Sequence, residues 1–117
     1  MISVTIFETD HQYRGFLCEG HAGYAQEGAD IICAAVSALT FNTVNSLEAF
    51  TEDAFQVEQS EDGGYLKLVI TETVSPEAEL LLRSLVLGLQ MTEQNYGSEF
   101  LTVRCQEQKE EVLFRND

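Results

Sequence analysis

The chain has 117 residues, 20 of them Asp or Glu against 6 Lys or Arg, a formal net charge of -14 and 44% hydrophobic residues. A chain of this length can bury about two-thirds of its unfolded surface in one core, so a single domain over 1–117 is expected and a second core is excluded. The basic residues are scattered from Arg14 to Arg115, too dispersed to displace counterions from a phosphate backbone. Direct nucleic-acid binding is therefore not expected, whereas an acidic field of this size favours encounter with a cationic partner.

Ile2, Val4 and Ile6 alternate with Ser3 and Thr5 as in a half-buried strand, with no basic leader ahead of them. No export signal is expected there, which puts the protein in the cytoplasm. After the turn Thr9-Asp10-His11-Gln12, a second extended run over 13–18 completes an opening hairpin. Residues 20–29 are punctuated by Gly20, Gly23 and Gly28 and lack a clean period, which predicts a loop longer than most connections in a small domain. Such length points to function. Asp30 sits at an N-cap position ahead of Ile32, Val36, Leu39, Thr43, Leu47 and Phe50 at helical spacing, predicting a first helix over 31–50.

Residues 55–59 and 65–71 flank Glu61-Asp62-Gly63-Gly64, a second hairpin. Ser75-Pro76-Glu77 supplies a capping oxygen, a proline at the first helical position and an early acid, starting a helix that should stop at Gly97. Its Leu80, Leu81, Leu82, Leu85, Val86, Leu87, Leu89 and Met91 surround the helical wheel, more than one sheet can cover. Part of that helix is expected to meet a second copy of the chain, making a homodimer. Residues 100–105 alternate as a last strand, and a charged end follows over 107–117. No apolar stretch approaches the roughly 20 residues of a membrane span, so no membrane partner is expected. The order ββαββαβ predicts an α+β fold with two helices packed on a mainly antiparallel sheet.

The three cysteines, Cys18, Cys33 and Cys105, are odd in number and far apart, which argues for free thiols in a reducing compartment. Cys33 falls in the predicted first helical turn, where unpaired N–H groups and the positive dipole end favour a thiolate and could stabilise an oxyanion. His21, across the glycine-rich loop, could return to the helix start to take the thiol proton and later protonate a leaving amine. Ser37, one turn on from Cys33, could donate to sulfur or substrate, or simply bond its own backbone. Asp30 could orient the imidazole, but its spacing fits a helix cap better. Tyr24 is either a lid contact or a loop anchor. The competing interpretation makes Cys33 a small buried hydrophobe, His21 a turn residue and the protein a non-catalytic acidic module that binds a basic protein. Cys18 and Cys105, within strand patterns, are expected in the core. His21 and Cys33 have no Cys-x-x-Cys or His-x-x-x-His companion, so neither a metal nor another cofactor is expected.

The run Gly20-His21-Ala22-Gly23-Tyr24-Ala25, then Gly28, Asp30-Ile31 and Cys33-Ala34-Ala35-Val36-Ser37-Ala38-Leu39, resembles the signature of the ribosomal-processing cysteine protease (Prp) family. The resemblance continues through Asn42-Thr43-Val44-Asn45-Ser46-Leu47-Glu48 and is strong over about a quarter of the chain. It implies an α+β homodimer that removes an N-terminal extension from large-subunit ribosomal protein number twenty-seven, cutting after an aromatic residue. It also implies a catalytic pair at His21 and Cys33, support from Gly20, Asp30 and Ser37, and a gating loop containing Gly23, Tyr24 and Gly28.

Overall fold

A computed structural model of the protein describes residues 1–20, 29–96 and 98–108. Strands β1 (Ile2–Thr9) and β2 (Gln12–Gly20) form the opening hairpin. Asp10 and His11 turn the chain with φ of 52° and 65°, the left-handed pair whose twist matches that of the flanking strands. Pairing runs Phe7 to Gly15 and then Glu8 to Tyr13, leaving Arg14 as an extra, buried residue. Its Nη1 donates to the carbonyls of Ile70 at 2.8 Å and Glu72 at 2.7 Å, which ties the bulge to the neighbouring strand end.

Helix α1 (Ala29–Phe50), hairpin strands β3 (Phe55–Gln59) and β4 (Tyr65–Ile70), helix α2 (Pro76–Tyr96) and strand β5 (Leu101–Glu107) follow in the predicted order. The sheet order is β3-β4-β2-β1-β5, antiparallel throughout except where β5 runs parallel to β1. Each helix is thus a crossover between strands that are not neighbours, α1 from β2 to β3 and α2 from β4 to β5. Both helices cover one face, where Val4, Ile6, Phe16, Leu68, Ile70 and Leu101 pack against Ile32, Val36, Leu47, Leu82, Leu85 and Leu89. Full burial of each such side chain contributes about 1.5–3 kcal/mol over leaving it exposed, so this one face carries most of the fold.

Helix α2 starts as its sequence indicates: Ser75 Oγ accepts the Ala78 N–H at 3.0 Å, with Glu77 and Glu79 in the first turn. Its wheel divides into a buried set, Ala78, Leu82, Leu85, Val86 and Leu89, and an exposed set, Leu80, Leu87 and Met91. Helix α1 departs from expectation at its start. Ala29 is buried and already helical, so Asp30 is the second residue of the helix rather than its cap, and Asp30 is exposed. Core packing of Ala29 extends the first turn past the position that capping preference alone would choose.

A second correction concerns hydropathy. Helix α1 has 22 residues, and its most apolar 18-residue window has a mean hydropathy of 1.2, by length and composition enough for a membrane span, contrary to the expectation that no stretch comes near one. Thr, Ser and Asn dilute its apolar residues along the sequence, whereas the helix gathers Ile32, Val36, Thr40, Thr43 and Leu47 on one buried stripe. The buried hydroxyls on that stripe are satisfied within the helix, Thr40 Oγ1 donating to the Val36 carbonyl at 2.8 Å and Thr43 Oγ1 to the Leu39 carbonyl at 2.9 Å.

Gly15 sits where a Cβ would lie 2.1 Å from the Leu68 carbonyl oxygen, a backbone atom that cannot yield. Gly63, at φ +79° in the β3–β4 turn, has open space around it. Thermal and urea unfolding should therefore show Gly15→Ala losing about 3 kcal/mol or more and Gly63→Ala only about 1–2 kcal/mol, the cost of left-handed backbone alone. Equal losses would mean that β2 and β4 do not approach this closely.

Candidate active site

One row of paired residues crosses the sheet beneath the start of α1: Val4 opposite Cys18, Cys18 opposite Leu66, and Leu66 opposite Gln59. The helix supplies the wall above this row. Because Ile32, Val36 and Thr40 are held in the core, the residues that follow each of them, Cys33, Ser37 and Phe41, are turned about 100° around the axis into a neighbouring stripe. That stripe lines an open groove, floored by Ile2, Cys18, Leu66 and Gln59 and closed on its far side by Gly63 and Tyr65 of the second hairpin. Cys33 is half-buried at the rim and Ser37 is exposed one turn away. The structure thus brings Cys33, Ser37 and Gly20 to one groove.

Gly20 ends β2 with φ 93°, its N–H donating to the Gly64 carbonyl at 2.9 Å. A Cβ there would sit 2.4 Å from the Met1 carbonyl oxygen, so both the backbone angle and the space require glycine. His21, Gly23, Tyr24 and Gly28 lie outside the described residues. Asp30, on the first turn of α1, is not among the groove residues. In a helix that begins at Ala29, the Cys33 N–H falls to the Ala29 carbonyl. Cys33 is therefore in the second turn rather than the first, and free N–H donors belong to the residues before it.

Two cysteines differ from their expected places. Cys18 is only half-buried and shares the groove with Cys33, because its register on β2 faces the start of α1. Burial pushes its thiol up to about 11, assisted by the neighbouring Cys33 and by Glu19. Cys105, expected in the core, is exposed on the edge strand β5. The β3–β4 hairpin was the part of the site invisible to motif reading. Gln59, Gly63 and Tyr65 carry no local signal, and only strand pairing places them opposite α1. Burial, together with Glu58 and Glu19 nearby, raises the Tyr65 hydroxyl above its ordinary value. Among the described residues, no group of three or more His, Cys, Asp or Glu is placed to hold a metal.

The family model described as Cysteine protease Prp matches residues 1–100. The domain is accordingly a cysteine protease, its free thiols held in a two-helix α+β scaffold. It belongs to the Prp family. The ribosomal processing cysteine protease Prp of Bacillus subtilis is 33% identical over 101 residues, covering 82% of this chain and 90% of that protein. Its Staphylococcus aureus counterpart is 31% identical over 98 residues, covering 83% of this chain and 92% of that protein. The crystal structure of an S. aureus Prp with a covalently linked product peptide superposes with a TM-score of 0.82 at 29% identity, covering 91% of this chain and 100% of that one.

The Cys18 titration has a definite sign. Its folded value of about 11 lies above the usual 9.0, so the stability it contributes is complete below pH 9 and is lost as pH rises through about 11. Urea unfolding followed across that window should show wild type losing stability more steeply than Cys18→Ala. Parallel curves would mean that the thiol is not shielded in the groove floor.

Proposed function

We propose that this chain is an endopeptidase that removes the N-terminal extension of large-subunit ribosomal protein number twenty-seven, cutting after an aromatic residue, with Cys33 as nucleophile and His21 as general base. The observation that carries this reading is the position of half-buried Cys33 in a groove along α1, one turn from Ser37 in the same groove. The names of the relatives support it, as do S. aureus structures holding a substrate peptide and a covalently linked product peptide.

His21 takes the thiol proton, the thiolate attacks the carbonyl after the aromatic residue, and the tetrahedral oxyanion collapses to a thioester as His21 protonates the leaving amine. Water, deprotonated by the same imidazole, then releases the extension and restores the thiol. Gly20 anchors the strand end from which His21 follows in sequence. Ser37 hydrogen-bonds sulfur or the bound peptide. Asp30, which does not serve as helix cap, orients the imidazole. Gly23, Tyr24 and Gly28 form the gate that admits substrate. The reaction takes place in the cytoplasm, where thiols stay reduced, and the charge of -14 draws in a basic ribosomal protein. The enzyme works as a homodimer through α2, whose Leu80, Leu87 and Met91 are 63%, 59% and 51% exposed along one face.

Mass spectrometry of a synthetic peptide spanning the extension and the mature start tests this directly. Wild type should cut once, after the aromatic residue, and Cys33→Ala and His21→Ala should each lower kcat/KM by at least about a thousandfold while melting normally. Cleavage by Cys33→Ala at the wild-type rate would remove the nucleophile assignment. Binding of the peptide without cleavage by wild type would favour the acidic docking module instead. Light scattering of Leu87→Glu should give a monomer where wild type gives a dimer.

A further inference from the structure

The groove is unevenly furnished along its length. Its apolar floor and wall residues Ile2, Val36 and Leu66 are 3%, 2% and 6% exposed, so a bound chain gains little further contact from them. Phe41 is the one lining side chain that remains a large exposed hydrophobic, at 42%. Beside it, the hydroxyl of Thr40 is turned back onto the Val36 carbonyl at 2.8 Å, so its one side-chain polar group is already satisfied within the helix. An apolar substrate side chain reaching this end would cover Phe41 without stranding that hydroxyl.

The distance from the nucleophile follows from helix geometry. Phe41 and Cys33 stand on the same stripe of α1, and a rise of about 1.5 Å per residue separates their Cα atoms by roughly 12 Å along the axis. Both side chains lean toward the helix start, the longer ring further than the thiol, and eight residues leave them about 80° apart around the axis, which puts ring and sulfur at about 11–14 Å. An extended peptide advances about 3.3 Å per residue, so its third or fourth residue from the scissile bond meets the ring.

We propose that Phe41 forms a specificity subsite that binds an apolar side chain of the substrate three or four residues from the scissile bond. The subsite rests on the reading of Cys33 as nucleophile. It is continuous with the groove that holds Cys33, and it explains why a helix that buries its other stripe so well leaves an aromatic ring uncovered beside Thr40. It also gives the enzyme a second measure of sequence beyond the residue at the cut. Contact energy there is made with the ground state and the transition state alike, so it should appear in KM.

The test is a set of cleavable peptides in which each of the four residues on either side of the scissile bond is in turn Leu or Ser, assayed with wild type, Phe41→Ala and Phe41→Leu. For wild type, one position three or four residues from the cut should favour Leu over Ser by about tenfold to a hundredfold in kcat/KM. In Phe41→Ala that preference should shrink to within about threefold, through KM and with kcat little changed, and Phe41→Leu should restore part of it. The exposed ring makes folding of both variants expected, and melting curves check it. A flat wild-type profile at those positions, or a preference that survives Phe41→Ala, would overturn the subsite while leaving the protease reading intact. Dissociation of a dimer by Phe41→Ala with unchanged preference would assign the ring to a subunit contact and overturn it too. Failure of wild type to cut any peptide would remove both this subsite and the nucleophile on which it depends.

Discussion

Burial of Ile32, Val36 and Leu47 against the sheet sets the rotation of α1 about its own axis, and through it the direction of every residue that follows them. Cys33 comes one residue after Ile32, Ser37 one after Val36 and Phe41 one after Thr40. A turn of about 100° per residue carries all three to the same side, where the sheet continues beyond the helix toward β3. The packing stripe and the groove stripe are thus a single constraint read twice. Any core change that rotates α1 would move thiol, serine and ring together.

The same helix shows how one segment meets two demands. Its most apolar window has the mean hydropathy of a membrane span, yet its apolar residues serve a stripe on the sheet and a rim on the groove. Gly88 of α2 allows this arrangement, since a Cβ there would fall 2.9 Å from Leu39 Cδ2 on the neighbouring helix. Close approach of α2 holds α1 from the side opposite the groove stripe and leaves its other flank open. On the helix-free face of the sheet, Lys67 lies 5.8 Å over the Phe7 ring and Arg104 Nε donates to Thr5 Oγ1 at 3.2 Å. Two of the chain's few cations therefore cover sheet surface, leaving the acidic residues to dominate the field that an approaching basic chain encounters.

Where local signals and structure disagreed, packing at a distance prevailed. Asp30 has the residue type of a cap, but burial of Ala29 started the helix earlier. Cys18 and Cys105 both sit within strand patterns of the kind that core residues occupy. One lies in a central strand under the start of α1, and the other in an edge strand, so one lines a groove and the other meets solvent. The apolar wheel of α2 was legible as an excess, and its division into Leu82, Leu85 and Leu89 inside against Leu80, Leu87 and Met91 outside required the sheet to be in place.

The amino-acid sequence by itself determined the elements and their order, because hydrophobic period, turn residues and the Ser75-Pro76 cap act within a few residues of where they stand. It also carried the glycine, histidine and cysteine pattern from Gly20 to Ser37 by which the family is recognised, since that pattern is contiguous. Only the tertiary structure decided that β3 and β4 would close the groove, that Cys18 would share it with Cys33, and that Phe41 would be left uncovered within it. Those outcomes depend on strand pairings and helix rotation that join residues far apart in the chain, and local preference has no means of encoding which of two strands lies at an edge.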